Sequence, residues 1–164
     1  MKSPKETTQI IAKINKLLCP SGFLAITLFG TIYVRNQSSL NEIMKTDGID
    51  SIVERHEMIH VKQAVATNNS WFLFYLLYFW QWLLNLPLIF INRNAPYKFV
   101  SFELEAYANE NNIGYENKII NGAYSWKDFN KLTFKEKWKL ATEYYNRSVS
   151  CRFRNFVNSE LPLT

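Results

Sequence analysis

Apolar residues change their spacing several times along the chain, and each change predicts an element. Ile10, Ile11, Ile14, Leu17 and Leu18 fall at helical spacing and predict a short amphipathic helix over residues 7–18, ended by Pro20 and Gly22. The run FLAITLFGTIYVR over 23–35 is rich in β-branched and aromatic side chains. Its break at Phe29-Gly30 predicts two strands in a tight hairpin, or one strand bent at the glycine. Residues 36–49 are polar, include Gly48 and read as a loop. Asp50 or Ser51 then offers an N-cap, and Glu54 completes a capping box with Ser51 for a helix reaching about Thr67, stopped by Asn68-Asn69-Ser70. Ile52, Ile59 and Ala66 mark its expected buried stripe, with both histidines and Gln63 on another face.

Residues 71–91 carry no charge and are interrupted only by Gln81, Asn85 and Pro87. By length they match the roughly 20 apolar residues that cross a bilayer. Proline removes a backbone donor and biases its predecessor away from helix, so the pattern predicts a helix over 71–86 and an extended stretch over 88–92. Asn92-Arg93-Asn94-Ala95-Pro96 reads as a turn. Ser101 caps an expected helix over 102–112, residues 113–124 are an expected loop, and 125–132 a short helix. Thr133-Phe134-Lys135-Glu136 is a capping box for a last helix to about Arg147, followed by a loosely held tail from Ser148.

The length, 164 residues, suits one domain spanning 1–164, and the 48% hydrophobic and 16% aromatic content excludes a disordered chain. Repeats and low-complexity segments are absent. The net charge of +5 gathers near the two ends, at Lys2, Lys5, Lys13 and Lys16 and again from Lys127 to Arg154. Such an excess could favour nucleic acid or anionic lipid; solvated helix faces are the preferred reading, and no nucleic-acid partner is expected. Cys19 and Cys151 form no CxxC pair and are expected as two unpaired buried thiols in a reducing compartment. The first apolar stretch is broken by Cys19-Pro20-Ser21-Gly22 and has no signal-peptidase exit, so the expected location is cytoplasmic or peripheral to a membrane, without a cleavable signal.

The chemistry gathers at His56-Glu57-Met58-Ile59-His60, which holds both histidines of the chain. Residues four apart share one helix face, so His56 and His60 can bind one zinc ion, with the Glu57 carboxylate in reach of a bound water. A surface helix with incidental histidines is the competing interpretation; the capped helix and the absence of any other histidine weigh against it. A hydrolytic zinc site takes three protein ligands, and without a further histidine or nearby cysteine the third is a carboxylate: Glu103, Glu105, Glu110, Glu116 or Asp128.

His56-Glu57-x-x-His60 followed by Phe102-Glu103-Leu104-Glu105-Ala106 resembles the glutamate-type HExxH zinc metallopeptidases, or gluzincins. These include the HtpX-like and CAAX-protease-like enzymes and the BlaR-type antirepressor peptidases. The resemblance covers two short motifs and the hydrophobic segment between them. It implies a peptidase of peptide or protein substrates with Zn2+ on His56, His60 and Glu103 and Glu57 as general base. It also implies an α+β fold, a mainly helical zincin-like minimal domain with a small β-hairpin or sheet. The later family element reads E-x-x-A-D, and Tyr107 stands where the family has an aspartate that orients a ligating histidine. Tyr107 is therefore a candidate for that contact or for oxyanion stabilisation, with Tyr124, Tyr144 and Tyr145 as competitors.

One geometric constraint follows. A helix over 71–91 crossing a bilayer once would carry Glu103 to the side opposite His60, so the three-ligand site requires the chain to turn back near Pro87. The segment is then buried, or lies in a membrane interface, for which Trp71, Trp80 and Trp82 are suited. A membrane surface is thus a candidate partner. Residues 31–35 are the expected edge strand for an extended substrate. The alternative function is a catalytically inactive zinc-binding or membrane-surface interaction protein. Nothing in the sequence fixes the oligomeric state.

Overall fold

The computed structural model describes residues 2–19, 25–45, 48–49, 51–115 and 125–147. Its architecture is α+β, a helical body carrying a small three-stranded mixed sheet. Strands β1 (Ile11–Ile14), β2 (Ala25–Leu28) and β3 (Thr31–Val34) lie in the order β1-β3-β2. β3 pairs parallel with β1 and antiparallel with β2, with Leu28 opposite Thr31. The expected hairpin forms. Phe29 and Gly30 turn it with φ of 54° and 72°, the two positive values of a type I′ connection, whose twist matches that of the strands. The Phe29 N–H donates to the Tyr75 hydroxyl at 2.8 Å, and its ring meets Trp71 and Tyr75 edge-on, which fastens the turn to the body.

Several expectations need correction. Residues 7–18 form no helix: a 3-10 turn at Pro4–Glu6 precedes strand β1. Of the apolar set only Ile10 is fully buried, while Ile11, Ile14 and Leu17 are exposed, so no helical face gains a core to pack on and the β-branched run pairs with β3 instead. The Asn15 side chain then accepts the N–H groups of Leu17 and Leu18 and turns the chain.

Residues 36–49 are not all loop. Asn36 accepts the Ser39 N–H at 2.8 Å and caps α1 (Gln37–Ile43), whose Ile43 is buried; the short pair β4 (Met44–Lys45) and β5 (Gly48–Ile49) follows. The expected caps at Asp50 and Ser51, the 116–124 loop, Cys151 and the tail from 148 concern backbone or side chains outside the described residues.

α2 (Ser51–Ala66) ends as expected, with Asn68 and Asn69 in the left-handed region. Its buried positions, however, are His56, Ile59, Val61, Gln63 and Ala64, so the face with His56 and Gln63 is turned to the core, and Ile52 and Ala66 are only half-buried. α3 (Trp71–Asn85) is capped by the Ser70 hydroxyl. The stretch after Pro87 is not extended: Leu86–Phe90 is a 3-10 helix with the proline in its first turn, where no intrahelical N–H is needed. α4 (Ala95–Lys98) occupies the expected turn.

α5 (Ser101–Asn109) follows, with Val100 at the cap position. Ser101 is not the cap, because its N–H and hydroxyl both donate to Gln81 Oε1, at 2.8 and 2.6 Å. Ser101 to Tyr107 are all buried, so α5 runs through the middle of the body. α6 (Ser125–Lys131) and α7 (Phe134–Arg147) cover it. The capping box is present, with the Thr133 N–H on Glu136 Oε2 at 2.8 Å and the Glu136 N–H on Thr133 Oγ1 at 3.4 Å.

The main core joins Ile32 and Val34 of the sheet to Val61 and Ala64 of α2, Trp71 and Phe74 of α3, Phe102 of α5 and Trp126 of α6. The sheet therefore packs on the helix pair that carries the histidines and Glu103. At Gly30 a Cβ would meet the Thr7 methyl at 2.5 Å as well as the positive φ. Gly30→Ala is expected to destabilise the fold by about 1–3 kcal/mol, read as a lower urea midpoint with unchanged slope.

Candidate metal centre

The two motifs read from the sequence meet across the α2–α5 contact. His60 Nε2 stands 3.3 Å from Glu103 Oε1, and His56 Nε2 3.6 Å from Glu103 Oε2. One donor atom from each of the three residues falls within 4.8 Å of the others. Ligands of a tetrahedral zinc ion, with bonds near 2.0–2.1 Å, stand about 3.3 Å apart. The spacing fits.

The orientation of the rings fits as well. His56 Nδ1 lies 2.9 Å from Glu110 Oε2, which can only accept when ionised, so this nitrogen carries the proton. His60 Nδ1 lies 2.7 Å from Gln63 Oε1, whose amide nitrogen donates to the Phe102 carbonyl at 3.0 Å and to Glu105 Oε2 at 2.7 Å. The amide is thereby fixed with its oxygen toward His60. When neutral, both rings would present an Nε2 lone pair to the same point as the Glu103 carboxylate, the donor set of a His2Glu zinc site.

Two further groups hold Glu103. The Tyr78 hydroxyl donates to Oε1 at 2.9 Å and the Tyr97 hydroxyl to Oε2 at 2.6 Å. Burial and the Glu103 charge push both phenols well above their ordinary value. Burial alone would push the Glu103 carboxyl up. The His60 charge and hydrogen bonds from both imidazoles reverse this and hold it far below the usual carboxylate range. Burial likewise disfavours a charged His56, but hydrogen bonds to Glu103 and Glu110 outweigh it and raise its pKa from 6.5 to about 10. Without a cation between them, the imidazoles neutralise the carboxylate themselves.

Glu57 is the remaining member. Its Oε2 is buried with no hydrogen-bond partner among the described residues, and the side chain lines the same cavity as His56, His60 and Glu103. An ionised oxygen kept from solvent without a donor is costly unless a ligand or water supplies one.

That cavity is an open cleft of about 710 Å3. Ala25 to Leu28 of β2 form one wall, and Trp71, Phe74, Tyr75, Tyr78 and Trp82 of α3 another. β3 is the central strand with both edges paired, so the edge expected at 31–35 belongs instead to β2. In an antiparallel pair closed by a two-residue turn, Leu28–Thr31 and Ile26–Tyr33 are the hydrogen-bonded pairs. The main-chain groups of Ala25 and Thr27 therefore face outward.

Of the other third-ligand candidates, Glu105 is buried and takes donations from Gln63 and from the Tyr115 hydroxyl, while Asp128 is exposed beside Lys131. Glu116 lies outside the described residues. The Tyr107 ring packs against His56, with centroids 4.7 Å apart, and its hydroxyl lies 3.4 Å from that of Tyr97. Tyr107 is not among the cavity-lining residues, and the carboxylate on His56 Nδ1 comes from Glu110. Glu110 sits seven residues after Glu103, two turns on along the same face. That spacing was a usable signal for its role. Tyr78 and Tyr97 carried none, since only the fold brings α3 and α4 to α5. Tyr124, Tyr144 and Tyr145 fall where side chains are not described.

No protein-family model, curated protein or solved structure matches this chain.

Glu110→Ala is expected to weaken zinc binding about 10–100-fold, measured by competition with a chromophoric chelator. In metal-free protein the His56 contribution to stability is complete below pH 6.5 and is lost as pH rises through about 10. That of Glu103 is present above pH 4.5 and is lost in strong acid. With chelator present, the urea midpoint should peak between pH 4.5 and 6.5 and fall toward pH 10. With zinc saturating, and the imidazoles already unprotonated, the alkaline fall should be much smaller.

Proposed function

We propose that the chain is a zinc-dependent peptidase, with His56, His60 and Glu103 as metal ligands and Glu57 as general base. The observation that carries this reading is the unpartnered Glu57 Oε2, buried in the same cleft as the convergent His2Glu set. When bound, zinc would lower the pKa of a water and polarise a carbonyl. The chain's own residues supply the remainder. Glu57 takes the proton of the attacking water and delivers it to the departing amine.

The edge of β2, unpaired among the described residues, supports a substrate held as an extended strand, bonded to the Ala25 and Thr27 main chain, with apolar side chains received by the α3 wall. Glu110 on His56 Nδ1 weakens the alternative of an inactive zinc-binding protein, because the carboxylate missing at Tyr107 is supplied from elsewhere on the same helix.

Glu57→Gln is expected to lower hydrolysis of unfolded casein by about 10²–10⁴-fold while zinc content stays at the wild-type level; wild-type protein that carries zinc and cleaves nothing would favour the inactive reading. Thr27→Pro removes an N–H that the sheet does not use. It should reduce turnover without zinc loss, whereas Ile26→Pro should unfold the hairpin.

A further inference from the structure

The apolar segment 71–91 is built inside out for water. On α3, Trp71, Phe74, Tyr75, Tyr78 and Trp82 turn toward the cleft. Phe72, Leu76, Phe79, Trp80, Leu83 and Leu84, again at helical spacing, are exposed on the outer side. The 3-10 helix continues that surface with Ile89 and Phe90, and Ile91 follows, with Phe90 91% exposed and Leu84 63%. Only 6% of the best apolar window in this segment is buried, so the expectation of a buried core helix does not hold. Its polar side chains point the other way: Gln81 accepts from Ser101, and the Asn85 amide donates to the Pro96 carbonyl at 3.4 Å.

We propose that this outer face of α3 and the 3-10 helix lies flat in the interface of an anionic lipid bilayer. A surface that turns its amides inward and its Phe, Leu and Trp outward is matched to hydrocarbon, and Trp80 suits the headgroup boundary. Charge favours the same partner. From Met58 to Phe102 the chain has no Asp or Glu, while Lys62, Arg93 and Lys98 are basic. At the start of α3 the Lys2 carbonyl accepts from Trp71 Nε1 and the Lys5 N–H donates to Asn69, so two exposed lysines flank that end; exposed Arg93 flanks the other.

Glu6, the acid at the lysine end, is folded back on the Ser3 N–H. A two-fold contact between copies would set one end of net basic charge against the other, which disfavours a second copy. The segment does not cross the bilayer, because α2 before it and α5 after it meet at the histidine–Glu103 contact.

The cleft shares Ile89 with this surface and has α3 as its wall, so it adjoins the docked face. Resting on the peptidase reading, this names the substrate class: polypeptide held at a membrane surface.

Flotation of the full zinc-loaded chain with phosphatidylcholine vesicles, with and without phosphatidylglycerol, tests the docking. Binding is expected with the anionic vesicles and should weaken with salt. The triple variant Phe72→Glu, Leu84→Glu, Phe90→Glu should bind at least about tenfold less, with zinc content and melting temperature unchanged. The proposal is overturned if the wild-type chain floats with neither vesicle, or if it sediments as a dimer that the triple variant makes monomeric. It also fails if cysteines at positions 68 and 92 label from opposite sides of sealed vesicles. For the substrate class, the triple variant should lose hydrolysis of a palmitoylated fluorogenic peptide library on vesicles but keep that of the unlipidated library. Flotation without any Glu57-dependent hydrolysis would leave the docking standing and remove the peptidase reading alone.

Discussion

A carboxylate sits almost wholly buried at the floor of a cleft. Glu103 is 3% exposed, and an ionised group in that position must be met by donors or positive charge on every side. His56 and His60 come from α2, the Tyr78 hydroxyl from α3 and the Tyr97 hydroxyl from α4, so one buried anion on α5 fixes the relative placement of four helices. The arrangement is stable without an ion only because the imidazoles take up protons, His56 strongly enough to titrate near 10. A divalent cation would replace those protons, which makes metal uptake and proton release one event.

A second set of contacts holds that first set. Glu110 bonds to His56, and its own carbonyl accepts from Arg55 Nε at 2.8 Å; Gln63 bonds to His60, to the Phe102 carbonyl and to Glu105. Apart from the Gln63–His60 bond, which lies within α2, each runs from α2 to α5 or its C-cap, so the ring orientations depend on the helix packing and the packing on the rings. This explains why α5 shows no clean amphipathic stripe. Buried on all sides, it turns Glu103 to the histidines, Glu105 to Gln63, Phe102 to the main core and Leu104 to the cluster under α7.

The cleft divides the labour between its two walls. β2 contributes main chain that is unpaired among the described residues, and α3 contributes aromatic side chains. The turn that joins β2 to β3 is tied to α3 through Phe29 and Tyr75, so the two walls keep their distance. The exposed apolar face of α3 lies next to this cleft, and contiguous apolar surface of that kind is a liability in water.

The sequence by itself determined the short-range features. H-E-x-x-H put two imidazoles on one helix face because the helix repeat is local geometry, and Phe29-Gly30 and Thr133 to Glu136 carried their turn and cap in neighbouring residues. It also narrowed the third ligand to a few carboxylates. Only the tertiary structure decided what depends on contacts distant along the chain. Residues 11–14 became a strand because β3 offered a partner, Glu110 rather than Tyr107 reached His56, and Tyr78 and Tyr97 closed on Glu103. Periodicity states which side chains share a face of one element; which element that face meets, and therefore which carboxylate stays charged out of water, is settled by packing.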